Sequence, residues 1–221
     1  MGINLDAVDK QMSGDAADDL ASRIAERSLA KRGANYAAEV RRLLDAALSV
    51  IEERGTESRP RVADIVSAAG LSNEAFYRHF SSKDALVAAL LEDGTARLRR
   101  YVAHQMSKEP SPEGKVRRWV EGVLAQAIGD TADSTRAVSW NASGLAGDSM
   151  GGAVSANGPM ASLLTEPFAE LGSTDPDFDA LLAAHATLGM LADYLWRRTE
   201  PTPADIDHIY EFCIRAVTPK A

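Results

Sequence analysis

Residues 70–86 read GLSNEAFYRHFSSKDAL. Gly70, three serines, Arg78, Lys83 and the rings of Phe76, Tyr77, His79 and Phe80 crowd into this stretch. Just upstream, RVADIVSA (61–68) sets Val62, Ile65 and Val66 on one helical side. Gly70 supplies a permissive backbone where that short helix must stop. Ser72 is suited to cap a second helix, NEAFYRHF (73–80). Two short helices joined by such a turn form a helix-turn-helix. The second is too short to hold on its own. Phe76 and Phe80, four residues apart, share a face and are expected to anchor it on Ile65, Leu44 and Leu48. The opposite face then carries Asn73, Glu74, Tyr77 and Arg78 or His79. A narrow rod bearing hydrogen-bonding groups fits the major groove of a duplex.

Outward from this motif the pattern is helical in both directions. NYAAEVRRLLDAALSVIEERG (35–55) spaces Tyr36, Val40, Leu43, Leu44, Ala47, Leu48 and Ile51 along one apolar face. Before it, ADDLASRIAERSLAKR (17–32) predicts a separate helix ended by Gly33, and residues 1–16 show no hydrophobic period and are expected to be disordered. After the motif, Ser81 or Ser82 opens a long helix from Lys83 to Met106, with Gly94 as a weak point. Ser111-Pro112-Glu113 starts the next, and a weaker helix covers 134–145. GDSMGGAVSANGP (147–159) is expected to be a mobile loop gating a pocket. MASLLTEPFAEL (160–171) carries a kink at Pro167, and Asp175-Pro176 and Thr202-Pro203 open the last two helices. No strand and no repeat of fixed period is predicted. The fold class is all-α. Its expected domains are an N-terminal extension (1–34), a three-helix helix-turn-helix domain (35–82) and a larger helical domain (83–221).

The chain has 221 residues, 45% hydrophobic and 25% charged, the composition of a globular protein. Its net charge of −8 opposes a general affinity for nucleic acid. Locally the balance reverses: residues 58–83 hold Arg59, Arg61, Arg78 and Lys83 against Asp64 and Glu74. A basic face on an acidic body concentrates phosphate binding in one place. No run of about 18 apolar residues predicts a membrane span. The N-terminus lacks the basic start and apolar core of a secretory signal, and Asp6 disfavours myristoylation. With one cysteine, Cys213, the expected location is the cytoplasm.

The residues Val62, Asp64, Ile65, Ala69-Gly70-Leu71-Ser72, Phe76-Tyr77-Arg78-His79-Phe80, Ser82-Lys83 and Leu86 resemble the DNA-binding signature of the TetR/AcrR family of bacterial transcriptional regulators. The resemblance runs from Tyr36 to Leu86. It implies that Tyr77 and His79 reach phosphates or bases, and that Lys83 holds a phosphate together with its helix N-terminus. Arg59 and Arg61 flank the first short helix, where the family often has threonine near Pro60 and Arg61. Ser72, Asn73, Glu74 and Arg78 complete the expected DNA-contacting set. Asn73 suits adenine, whereas Glu74 departs from the family pattern and either accepts from cytosine or repels phosphate. Arg23, Arg27, Lys31 and Arg32 have two readings, contact with DNA or a solvated helix face.

The resemblance also implies an effector pocket in the C-terminal domain. Trp119, Val123, Trp140, Phe168 and His185 are the residues expected to line it, and an apolar or amphipathic small molecule is expected to fill it. Residues 176–199 and 203–218 are expected to pair with a second copy, giving a homodimer on a palindromic operator. The role is a repressor released by its effector. The alternatives are a helical scaffold or a small helical enzyme with an incidental helix-turn-helix.

Other motifs carry less. GDSMG (147–151) matches G-x-S-x-G at Ser149 but lacks the preceding strand that would strain and expose the serine. His208 has Asp205 and Glu211 three residues to either side, a spacing more common in solvated stripes than in metal sites. No catalytic residue, metal or cofactor is expected.

Overall fold

The computed structural model describes residues 5–143 and 157–217. Among these every regular element is helical. The chain divides into two units, Met1–Leu43 and Leu44–Ala221.

Helix α1 runs from Leu5 to Arg54. It therefore starts within the stretch expected to be disordered and passes through Gly33, where a break was expected. A lone glycine costs a helix only about 1 kcal/mol relative to alanine. Once a helix is nucleated, each further residue adds a hydrogen bond without a new nucleation cost. A side chain at Gly33 would meet nothing, so this glycine answers no contact. Within the first unit, Arg23, Arg27, Lys31 and Arg32 are exposed. Tyr36, assigned above to the apolar face, is half-exposed.

The second unit opens with the last turns of α1. These bury Leu44, Ala47, Val50 and Ile51. Helices α2 (Val62–Ala69) and α3 (Asn73–His79) follow, then the long α4 (Lys83–Met106), unbroken at Gly94. Ile65, Phe76 and Leu86 are fully buried, one from each of these helices.

A larger core lies beyond. It is formed by the end of α4, α5 (Pro112–Leu124), a 3-10 turn (Ala125–Ala127), α6 (Gly129–Ala142), α7 (Asn157–Ala161), α8 (Thr165–Glu170), α9 (Pro176–Arg197) and α10 (Pro203–Val217). Where a kink is expected at Pro167, the helix instead breaks earlier, at residues 162–164. Proline is tolerated in a first helical turn, and α8 begins at Thr165, so Pro167 sits inside that turn. Trp119 is the largest fully buried side chain, and its indole N–H donates to the Met160 carbonyl at 2.9 Å. Gly122 lets α5 approach α4, since a Cβ there would stand 2.8 Å from a methyl of Val102.

Several helix starts use the expected caps. The hydroxyls of Ser72, Ser82 and Ser111 each accept from a backbone N–H three residues on, all at 3.1 Å. Asp175 does the same for Phe178. At α10, Thr202 and Asp205 cap reciprocally: Asp205 accepts from the Thr202 N–H at 2.8 Å, and the Asp205 N–H donates to the Thr202 hydroxyl at 3.2 Å. The Thr202 hydroxyl and N–H bonds, in that order, hold the Asp205 carboxyl below the usual range. Asp205 thus serves the helix start.

Cys213 is fully buried on α10, and burial pushes its thiol up to about 11. Only the thiolate attacks alkylating reagents. Iodoacetamide should therefore label native protein at least about 100-fold more slowly than urea-unfolded protein at the same neutral pH. Equal rates, read by mass spectrometry, would show that the thiol is accessible.

Candidate functional site: a helix-turn-helix reading head

The turn between α2 and α3 is built by Gly70, whose φ of 63° lies in the left-handed region. The Gly70 N–H donates to the Ser67 carbonyl at 3.2 Å, and the Leu71 N–H to the Val66 carbonyl at 2.9 Å. These bonds close the end of α2 and turn the chain directly into the Ser72 cap.

Helix α3 then presents two faces. Ala75 and Phe76 are buried. The Phe76 ring meets Tyr77 edge-on, with centroids 5.2 Å apart, and Phe80 at 5.9 Å. The outer face carries Asn73, Glu74, Tyr77 and Arg78, all exposed, with Tyr77 at 58%. His79 is half-buried at the helix end. A phenol 58% exposed on a seven-residue helix contributes little to the core. It is available to a partner.

Lys83 is the first residue of α4, behind the Ser82 cap, and half-buried. A cation at a helix N-terminus faces the positive end of the macrodipole, so an anion is its natural complement. Arg61 stands exposed just before α2, and its N–H donates to Asp64 at 3.1 Å. Asp64 also accepts from Arg54 at 2.7 Å, tying the end of α1 to the start of α2.

One contact was not foreseen. The Arg59 guanidinium lies over the ring of Trp140 on α6, 5.5 Å from its centroid. One residue expected at DNA and one expected in the effector pocket thus meet each other. Such a pair is worth about 0.5–1 kcal/mol at an exposed site. It fixes the loop before α2 to a helix of the larger core. Ser134, also on α6, donates to Glu52 near the end of α1 at 2.7 Å.

A cavity of about 500 Å³ opens beside these contacts, lined by the end of α1, the middle of α4, α6 and α9. The five residues expected to line a pocket lie elsewhere. Trp119, Val123 and Phe168 fill the core, Trp140 is half-buried under Arg59, and His185 is exposed on α9. Large side chains fill space, whereas small ones leave it. The cavity wall has Gly94 and Thr95 on α4 opposite Thr131, Ser134, Thr135 and Ser139 on α6. That run of small polar residues at helical spacing was the readable signal. The loop 147–159 lies largely outside the described residues, and Ser149 entirely so. No helix among the described residues is long and apolar enough to cross a membrane.

Residues 43–90 match the family model for bacterial regulatory proteins of the tetR family. Over 52 residues the chain is 42% identical to YvdT of Bacillus subtilis (strain 168), described as an uncharacterized HTH-type transcriptional regulator. That match spans 24% of this chain and 26% of YvdT, about a quarter of each. Among solved structures, the reduced form of NemR from E. coli superposes with a TM-score of 0.60 at 18% identity, over 83% of this chain and 100% of that one. The fatty acid degradation regulator FadR from Bacillus halodurans gives 0.60 at 17%, over 78% and 96%. At such identities the superpositions show a shared fold.

Proposed function

From the premise that this chain belongs to the TetR family of bacterial regulatory proteins, we propose that it is a DNA-binding transcriptional regulator, a repressor released from a palindromic operator by a small molecule. The observation that carries this reading is the outer face of α3: Asn73, Glu74, Tyr77 and Arg78 stand exposed on a capped helix whose other side is locked by Phe76. In this reading α3 enters the major groove. Lys83, Arg59 and Arg61 hold phosphates, and Ser72 and His79 complete the contacts. Residues 35–82 form the reading head and 83–221 the effector and dimerisation domain.

One such helix reads too few bases for specificity, so a second copy is needed about 34 Å away. Helices α9 and α10 supply a surface for it. Phe178, Leu182, Met190 and Trp196 on α9 and Phe212 on α10 are exposed in the single chain. Large apolar side chains gathered on the outside mark an association surface. The effector occupies the 500 Å³ cavity. Helix α4 starts at Lys83 and lines that cavity from Leu90 to Tyr101, so it is placed to couple the two sites. A coupling of about 1–3 kcal/mol changes operator affinity some 5–150-fold. Action in the cytoplasm follows from this role.

Random duplex DNA tests the interface. Binding should weaken as salt rises, because phosphate neutralisation releases counterions. Sedimentation equilibrium should give twice the chain mass, and Leu182→Glu with Trp196→Glu should give one chain mass and weak DNA binding. Duplex binding indifferent to salt would remove the proposed phosphate contacts.

A further inference from the structure

We propose that the cavity beside α6 takes an apolar molecule bearing a cationic nitrogen, and that the Glu52 carboxylate reads its charge. The proposal rests on the reading of this cavity as the effector site, and it adds the chemical class of the effector.

The wall is mostly hydrocarbon, from Leu48, Leu90, Leu98, Val138, Leu191 and Leu195. Three charged side chains interrupt it: Glu52, Asp93 and Arg97. Arg97 donates to Asp93 through both Nε and Nη2, so that cation is already matched. The partner the structure gives Glu52 is different: the Ser134 hydroxyl, a neutral donor at 2.7 Å. That bond fills one lone pair and leaves the negative charge uncompensated. A ligand's apolar body that displaces water from the leucine wall strips solvent from Glu52 as well. A neutral ligand leaves that cost unmet, and a carboxylate adds repulsion. An ammonium removes it by pairing, and the exposed ring of Tyr101 on the same wall offers a second contact for a cation.

The position of Glu52 gives the charge a consequence. It follows Ile51, which is buried in the core, on the helix that leads into the Arg54–Asp64 tie to α2. A ligand nitrogen that draws the carboxylate away from Ser134 loosens α1 from α6. Occupancy of the cavity is thereby felt at the base of the reading head.

Three probes with the same ten-carbon tail test this by calorimetry below their micelle concentrations: decyltrimethylammonium, 1-decanol and decanoate. Against the full chain, the cation is expected to bind about tenfold more tightly than decanoate, since the attraction it gains and the repulsion decanoate suffers are each worth up to about fivefold. Glu52→Gln keeps an acceptor for Ser134 and loses the charge. It should cut the affinity of the cation about three- to fivefold while leaving decanol within about 1.5-fold. Val138→Trp fills the cavity and should remove binding of all three, with an unchanged circular dichroism melt as the folding control. Failure of the cation to bind, decanoate binding as well as the cation, or a preference that survives Glu52→Gln would each overturn the proposed class. If Val138→Trp removes binding but no charge preference is seen, the cavity still stands as the effector site and only the class falls. If binding survives Val138→Trp, both fall.

Discussion

Alanine at both Tyr77 and Lys83 should weaken operator binding about 100-fold at physiological salt, with folding intact. Tyr77 is largely exposed and Lys83 half-buried, and neither is part of the buried core. Loss of affinity without loss of structure is therefore the signature of a contact. Lys83 sits at the start of α4, where its charge and the helix N-terminus both favour a phosphate. Its removal should lower the salt slope of binding by about one. Tyr77 needs one control, because its ring packs edge-on against Phe76 at 5.2 Å. Tyr77→Phe keeps that packing and deletes only the hydroxyl. Electrophoretic shift and anisotropy titrations of the single and double variants measure these effects. Affinity unchanged in the double variant would take the interface away from this face of α3.

The second large effect is structural. Phe76→Ala should destabilise the helix-turn-helix by about 3–5 kcal/mol. Phe76 is fully buried, and α3 has seven residues, too few to persist without tertiary anchoring. Typical domains are stable by only about 5–15 kcal/mol, so this loss is a large fraction of the whole. Thermal melts should show an earlier transition. DNA binding should fall with it, since the outer face of α3 is held in place by the inner one. Phe76→Leu, which refills most of the volume, should recover much of both. A melt unchanged by Phe76→Ala would mean that α3 is held by something else.

The difference between these predictions mirrors what the chain announces locally and what it does not. Gly70, Ser72, Ser82, Ser111 and Asp175 act within a few residues of where they stand, so caps and turns were legible from spacing alone. Phe76 and Tyr77, adjacent in sequence, separated correctly into an inner and an outer residue because a helix turns them to different sides. Gly33 misled because a glycine stops a helix only when the following structure demands it. The pairing of Arg59 with Trp140 joins residues far apart in the chain and depends on where α6 comes to rest, which no local pattern encodes. The cavity follows from packing in the same way. The large aromatic side chains Trp119 and Phe168 fill the core, and the space lies where α4 and α6 carry glycine, serine and threonine.

The central claim is that this chain reads a specific duplex through α3. A binding selection on sheared genomic DNA from the source organism, using purified protein at physiological salt and followed by sequencing, tests it most directly. The expected result is a shared palindrome whose half-sites lie about one helical turn apart, enriched by the native chain and lost with the Tyr77 and Lys83 replacements. No enriched sequence, either with protein alone or with a small-molecule cell extract added, would contradict it.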